Sequence, residues 1–353
     1  MVHEVLSIAW CMNKLIFRCA LLLFVASFYS CEFKGVAEHI IYPSDTLNGT
    51  DADKNLSSGP GIDSLDYQKR LLNLAHDSAD HIWPVRDSFT KTGAILPYNR
   101  ILAYYGNFYS ASMGVLGQYD IPVLKQMLKN EVEAWSVADT STTVLPAIHY
   151  IAVTAQRNPG ASRKHRLRMP FHQIDKAVSL ARDINGIAFL DIQVGHSTLM
   201  EEVPELEKYL VQSDIHLGID PEWSMKDGAI PGKKVGTMDA SDINWVIDYL
   251  ASIVKQNNLP PKVLIVHRFT NGMVTNSHKI KKCPEVQIVM NMDGFGFPAK
   301  KKDTYKRFIA GQPVQYTGFK LFYKNDKADK PYRLMTPEEV LGLRPRPVYI
   351  QYQ

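Results

Sequence analysis

A chain of 353 residues that is 45% hydrophobic and 22% charged has the makeup of one large folded domain with additions, which excludes a disordered polypeptide. The net charge of +4 comes without any nucleic-acid-binding motif, so nucleic acid is not an expected partner. Four cysteines are too few for a disulfide framework, the more so because Cys11 and Cys19 fall in an expected leader and leave only Cys31 and Cys283.

The leader is read from Lys14 to Arg18 followed by the apolar run Cys19 to Phe28, the basic and hydrophobic regions of a secretory signal and too short for a membrane-spanning helix. Met12 is the expected start, and residues 1–30 are the expected signal. Ser30-Cys31-Glu32 then resembles a bacterial lipoprotein signal, although Phe28 and Tyr29 stand where a leucine and a small residue are usual. That resemblance implies lipidation at Cys31, membrane attachment through the lipid and a cell-envelope location. Residues 43–62 are polar and rich in turn formers, so 31–64 is expected to be a lipidated, disordered tether before a domain spanning 65–353.

Leu65 to Ile82 is expected to form a helix with Leu71, Leu72 and Ala75 on its apolar side. From Ile101 onward, short apolar runs alternate with amphipathic stretches, the signature of strand and helix units around a parallel sheet. The predicted strands are Ile101–Tyr105, Val144–Ile151, Ile187–Gln193, Ile215–Asp220, Val263–His267, Val286–Asn291, Gly318–Tyr323 and Val348–Tyr352. Eight is the number that closes a barrel, and the predicted fold is a TIM-type (β/α)8 barrel of the α/β class. Between the fourth and fifth strands Asp239 is the expected N-cap of a helix carrying Ile243, Val246, Ile247, Leu250, Ile253 and Val254, stopped by Asn257-Asn258-Leu259-Pro260. Weaker helical patterns cover Ile174–Ile184 and Val203–Val211. No helix follows the eighth strand, so the Leu65–Ile82 helix is expected to cover it.

Side chains two apart on a strand share a face, so alternation sorts each run into two sides. Leu190, Ile192, Leu264, Val266, Ile288, Met290 and Met292 fall on the helix-facing side. The opposite side collects Asp191 and Gln193, Asp220 and Glu222, His267, and Asn291 and Asp293, with His149, Gln351 and Lys320 as additions, each near the C-terminal end of its strand. Converging carboxylates in a cleft are how an enzyme separates an acid from a base. The competing reading is a buried polar layer in which His267, Arg268 and Lys320 neutralise Asp191, Asp220 and Asp293.

Aromatic residues cluster near the same strand ends: Tyr104, Tyr105, Phe108, Tyr109, Trp223, Phe295 and Phe297, on which sugar rings can stack. Trp223 adjoins the acidic pair and is expected to raise the pKa of Glu222 by desolvation. Gly294-Phe-Gly296 and Pro231-Gly-Lys-Lys234 lack the spacing of a phosphate loop, and Ser197 lacks a G-x-S-x-G elbow. A metal set of Asp191, Asp220, Glu222 and His267 has no supporting H-E-x-x-H or Cys/His cluster, so neither metal nor cofactor is expected. The basic runs Arg157, Arg163 to Arg168 and Lys300 to Lys302 read as solvated loop charge, or else as a surface for an anionic envelope polymer.

Gly218-Ile-Asp-Pro-Glu222 resembles the D-x-E of the fourth strand in barrel glycoside hydrolases, notably the family 25 lysozymes, and more distantly the chitinase-type signature. The resemblance implies Glu222 as proton donor with Asp220 assisting. The first strand, Ile101-Leu-Ala-Tyr-Tyr-Gly106, lacks the aspartate expected there in a family 25 lysozyme, and the chitinase-type aspartate series is absent. The wider pattern of Tyr104-Tyr-Gly106, Asp191-Ile-Gln-Val-Gly195, Asp220-Pro-Glu-Trp223 and Val266-His-Arg-Phe269 is similar to an uncharacterised group of bacterial exported lipoproteins.

Together these features lead to the expectation of a monomeric cell-envelope glycoside hydrolase acting on a polysaccharide. Glu222 is its general acid, Asp220, Asp191 and Asp293 supply supporting charge, and Tyr104, Tyr105, His149, Gln193, Trp223, His267, Asn291, Lys320 and Gln351 contact substrate. A second carboxyl about 5 to 5.5 Å from Glu222 implies retention, and one about 6.5 to 9.5 Å away implies inversion. The alternatives are a non-catalytic glycan-binding barrel and a metal-assisted phosphodiester hydrolase.

Overall fold

The computed structural model describes residues 62–85 and 90–353; the expected signal, Cys31 and nearly all of the tether lie outside the described residues. Eight parallel strands form a closed ring: β1 (Asn99–Gly106), β2 (Thr143–Ala155), β3 (Ile187–Ile192), β4 (Ile215–Ile219), β5 (Lys262–Arg268), β6 (Val286–Met292), β7 (Tyr316–Leu321) and β8 (Tyr349–Tyr352). Neighbours in sequence are neighbours in the sheet, and β1 pairs with both β8 and β2 to close it. This is the TIM-type barrel expected from the sequence. Outside the ring, Arg166–Arg168 runs antiparallel to the end of β2, and Met238–Asp239 pairs with Val274–Thr275.

The strands are short apolar runs because both faces are covered, one by helices and one by the opposite wall of the barrel. Leu190, Ile192, Leu264, Val266, Ile288, Met290 and Met292 all join the buried layer between strands and helices, as alternation requires. The clearest helix, Ala240–Gln256, packs Ile243, Val246, Ile247, Leu250 and Ile253 into that layer, and each such side chain contributes about 1.5–3 kcal/mol by leaving water. Asp239 caps it through a reciprocal bond with Asp242, and Asn258, in the left-handed region, ends it ahead of Leu259 and Pro260. Phe171–Asp183 matches the weaker pattern over 174–184. The stretch from Val203 to Val211 breaks into a 3-10 turn, Pro204–Leu206, and the single turn Glu207–Leu210.

Two expectations about helices are corrected. The first helix, α1 (Ser64–Leu74), is shorter than 65–82 and does not cover β8. Its Leu71 and Leu74 pack on an inner cluster of Leu96, Ile101, Ala147, Phe189, Ile265, Val289 and Tyr349, so it plugs the N-terminal mouth of the barrel. Backbone bonds agree: Arg346 N donates to Leu74 O at 2.8 Å, just before β8 begins. A helix absent from the sequence reading, α2 (Ile121–Ala138), packs against β2 and reaches the outer face of β8 through Trp135, whose Nε1 donates to Tyr352 OH at 3.0 Å.

The barrel interior is therefore divided. Its lower half is the apolar plug just named, sealed by α1; its upper half, toward the strand C-termini, carries the polar side chains. Polar groups are tolerated there only with partners, since an unpaired buried polar group costs several kcal/mol.

Candidate functional site

A cleft of about 560 Å³ opens at the C-terminal rim. Of the residues singled out in the sequence as catalytic, substrate-contacting or stacking, Tyr105, Gln193, Asp220, Glu222, Trp223, Asp293, Phe295 and Lys320 line it. Phe269, Phe295 and Phe322 add apolar wall; Phe269 and Phe322 follow β5 and β7 directly. Phe269 and Phe322 were missed because they lie just past the strand ends; each stands two positions after an inward polar residue, His267 or Lys320, and that shared parity was the available signal.

Glu222 reaches the cleft by a different local structure from the one expected. β4 stops at Ile219, and Pro221–Trp223 form a 3-10 turn rather than further strand. The Asp220 carboxylate caps that turn, accepting from Glu222 N at 3.1 Å, so one acid sets the direction of the other. Burial, reinforced by Asp293 and opposed by Lys320 and His267, lifts the Glu222 carboxyl to about 7. Asp220 is also raised, by burial first and then by Glu222, Asp293 and Asp191.

Asp293 behaves oppositely. Burial disfavours its charge, but Lys320 Nζ lies 2.8 Å from Oδ1 and His267 Nδ1 lies 2.9 Å from Oδ2, and together they hold the carboxyl below its ordinary range. Lys320 also sits 3.9 Å above the Tyr105 ring.

Beneath the cleft lies a second, fully buried tier: His149, Asp191, His267, Asn291 and Gln351. These were expected to touch substrate, and the structure instead places them under Tyr105 and Gln193, out of the cleft lining. Asp191 Oδ2 accepts from Tyr105 OH at 2.9 Å, and its Oδ1 lies 3.3 Å from His149 Nε2 and 3.5 Å from His267 Nε2. The two imidazoles outweigh burial and lower the Asp191 pKa. For His267, burial works against the charge, but Asp293 and Asp191 raise it to about 10; for His149 burial wins and lowers it to about 4. Gln351 Nε2 donates to Tyr349 OH at 2.9 Å, completing the tier.

Three placements differ from expectation. Tyr104 is on the helix-facing side of β1, fully buried, with its hydroxyl 3.0 Å from Tyr323 OH, so it does not line this cleft. Arg268 also points outward, bonding the carbonyls of Thr270, Asn271 and Val274, and neutralises none of the three aspartates. The basic runs are not simply solvated: Arg166 and Arg168 clamp buried Glu202 at 2.8 and 2.7 Å, while Lys301 is buried 2.7 Å from Asp326. Lys300 alone among Lys300 to Lys302 lines the cleft.

Between its aromatic faces the site thus offers Glu222, half-buried and holding its proton near neutrality, Asp293, held as an anion, and the buried Asp220, whose pKa is raised. The chain matches no known protein-family model, and none of the curated proteins compared with it matches.

Proposed function

We propose that the chain is a cell-envelope glycoside hydrolase in which Glu222 is the general acid and Asp293 the anionic partner. One observation carries the reading: of the three carboxyls that line the cleft, Glu222 is pushed up to about 7 and Asp293 is held below its ordinary range, while Asp220, raised by burial, caps the turn that aims Glu222. Glycosidic cleavage needs that division, with an acid that keeps its proton for the leaving oxygen and an anion that faces the developing oxocarbenium charge. Trp223, Phe269 and Phe295 supply faces for sugar rings. Asp220 and Asp191 are positioning residues in this reading, Asp220 through the turn that aims Glu222 and Asp191 through Tyr105 and the two histidines. The envelope location rests on the Lys14–Arg18 and Cys19–Phe28 pattern and on Cys31 as a lipidation site.

A second reading has one observation in its favour. Asp293 is engaged on both oxygens by Lys320 and His267, which suits a barrel that binds glycan by hydrogen bonds without cleaving it. Incubating the full chain and Glu222→Gln with a panel of envelope polysaccharides separates the two. Hydrolysis predicts new reducing ends from at least one polymer with the unsubstituted chain and none with Glu222→Gln. Equal retention of a polymer by both proteins, with no new reducing ends from either, decides for binding.

A further inference from the structure

The buried tier under the cleft contains an arrangement that ion pairing alone does not explain. His149 Nε2, Asp191 Oδ1 and His267 Nε2 come from β2, β3 and β5, lie within 4.8 Å of one another, and are fully buried. Among the described residues none of the three atoms has a hydrogen-bond partner. A charge-assisted N–H···O⁻ bond closes to about 2.7–2.9 Å, yet here the separations from the shared oxygen are 3.3 and 3.5 Å. Those lengths match another geometry: donors about 2.0–2.2 Å from one tetrahedral ion stand about 3.4 Å apart.

The atoms behind the cluster point the same way. A metal-bound imidazole is normally oriented by a partner on its other nitrogen, and a bound carboxylate by a partner on its other oxygen. His149 Nδ1 lies 2.6 Å from Tyr349 OH, His267 Nδ1 lies 2.9 Å from Asp293 Oδ2, and Asp191 Oδ2 accepts from Tyr105 OH at 2.9 Å. Each ligand is held from behind, and the three ligand atoms gather within 4.8 Å of one another. Gly218 on β4 borders that centre, and a Cβ there would overlap Asp191 Oδ1 and His149 Nε2.

We propose that His149 Nε2, Asp191 Oδ1 and His267 Nε2 form a binding site for one divalent transition-metal ion of the zinc class. Two imidazoles and one carboxylate are the donor set such an ion prefers over calcium or magnesium, which take all-oxygen sites. Binding replaces the Nε2 proton of His267 with the ion, and that proton leaves to solvent. Because the three ligands lie beneath the cleft lining, the ion braces the floor that carries Tyr105 and Asp293 and is not placed to meet substrate. The site stands independently of the glycan reading.

The test uses the full chain, stripped with a chelator and titrated with zinc and with cobalt(II), with no glycan present. One equivalent of zinc should bind with a submicromolar Kd and raise Tm, and one equivalent of cobalt(II) should develop the intense visible bands of tetrahedral coordination. Asp191→Asn and His149→Gln should each weaken zinc at least 100-fold, while Glu222→Gln should bind as the unsubstituted chain does. Should a core substitution prevent folding, the cobalt spectrum and the zinc-dependent Tm of the unsubstituted chain still decide. Less than a tenth of an equivalent bound, weak octahedral cobalt bands, or undiminished binding in folded Asp191→Asn overturns the proposal. A barrel that binds zinc but releases no sugar would leave this site standing and remove the hydrolase; the reverse result would do the opposite.

Discussion

The Lys320 ammonium lies 2.8 Å from Asp293 Oδ1, and both side chains are almost wholly removed from water. A buried pair of this kind is costly to break from one side, because the remaining charge is left unmatched. Lys320→Met should therefore destabilise the fold by about 3 kcal/mol, the low end for a broken buried pair because His267 still holds the other oxygen. Denaturant unfolding checks the magnitude. A loss under 0.5 kcal/mol would mean that the pair is solvated.

Glu222 ties pH to activity. A general acid held at about 7 is protonated below that pH and ionised above it, so kcat/KM should fall on a basic limb with a midpoint near 7. Glu222→Gln should lower kcat by about 100-fold to 10,000-fold, with KM little changed. A rate profile flat from pH 5 to 9 would remove Glu222 from the acid role.

The same shift has a sign for stability. Below the ordinary glutamate pKa both folded and unfolded states hold the proton, and there is no cost. As pH rises toward 7 the unfolded chain releases it while the fold retains it, so folding is progressively disfavoured, and the penalty levels off above about 7. Glu222→Gln should accordingly gain stability over the unsubstituted chain between pH 5 and pH 8, by up to about 3 kcal/mol. Paired unfolding curves at the two pH values measure it.

Gly218 borders two side chains on which the buried tier depends. Gly218→Ala puts a methyl group into Asp191 Oδ1 and His149 Nε2, and overpacking of this kind costs about 1–3 kcal/mol. A Tm equal to that of the unsubstituted chain would show that the tier moves aside freely.

Trp223 tests the aromatic wall. Truncation to alanine should raise KM about tenfold and leave kcat within a few-fold, since a stacked ring contributes about 0.5–1.5 kcal/mol beyond the area it buries. A selective loss of kcat would assign Trp223 to the environment of Glu222 instead.

Much of this architecture was legible in the sequence because parallel strands covered on both faces leave short apolar runs, and side-chain parity survives barrel closure. Parity alone put Asp191, Gln193, His267, Asn291 and Asp293 inside and Leu190, Leu264 and Met290 outside. Parity also placed Tyr104 opposite Tyr105, and proximity to the strand end was a misleading reason to group them. Helix α2 escaped notice because Pro122 sits in its first turn and exposed Val123 and Val137 blur the stripe of Leu124, Leu128 and Trp135. The plug formed by α1 depends on which open end of the barrel needs covering, a tertiary fact that no local period carries. Depth was equally invisible: alternation assigns a face, but not whether a polar residue lines the cleft, as Gln193 does, or lies below it, as Asp191 does.

The most direct test of the central claim is a carboxyl-carbon NMR titration of Glu222 and Asp293 in the full chain. The account predicts a Glu222 midpoint near 7 and an Asp293 midpoint below the ordinary aspartate range. Midpoints for both at their ordinary values, near 4, would contradict it, because Glu222 and Asp293 would then be equivalent carboxylates with no division between acid and anion.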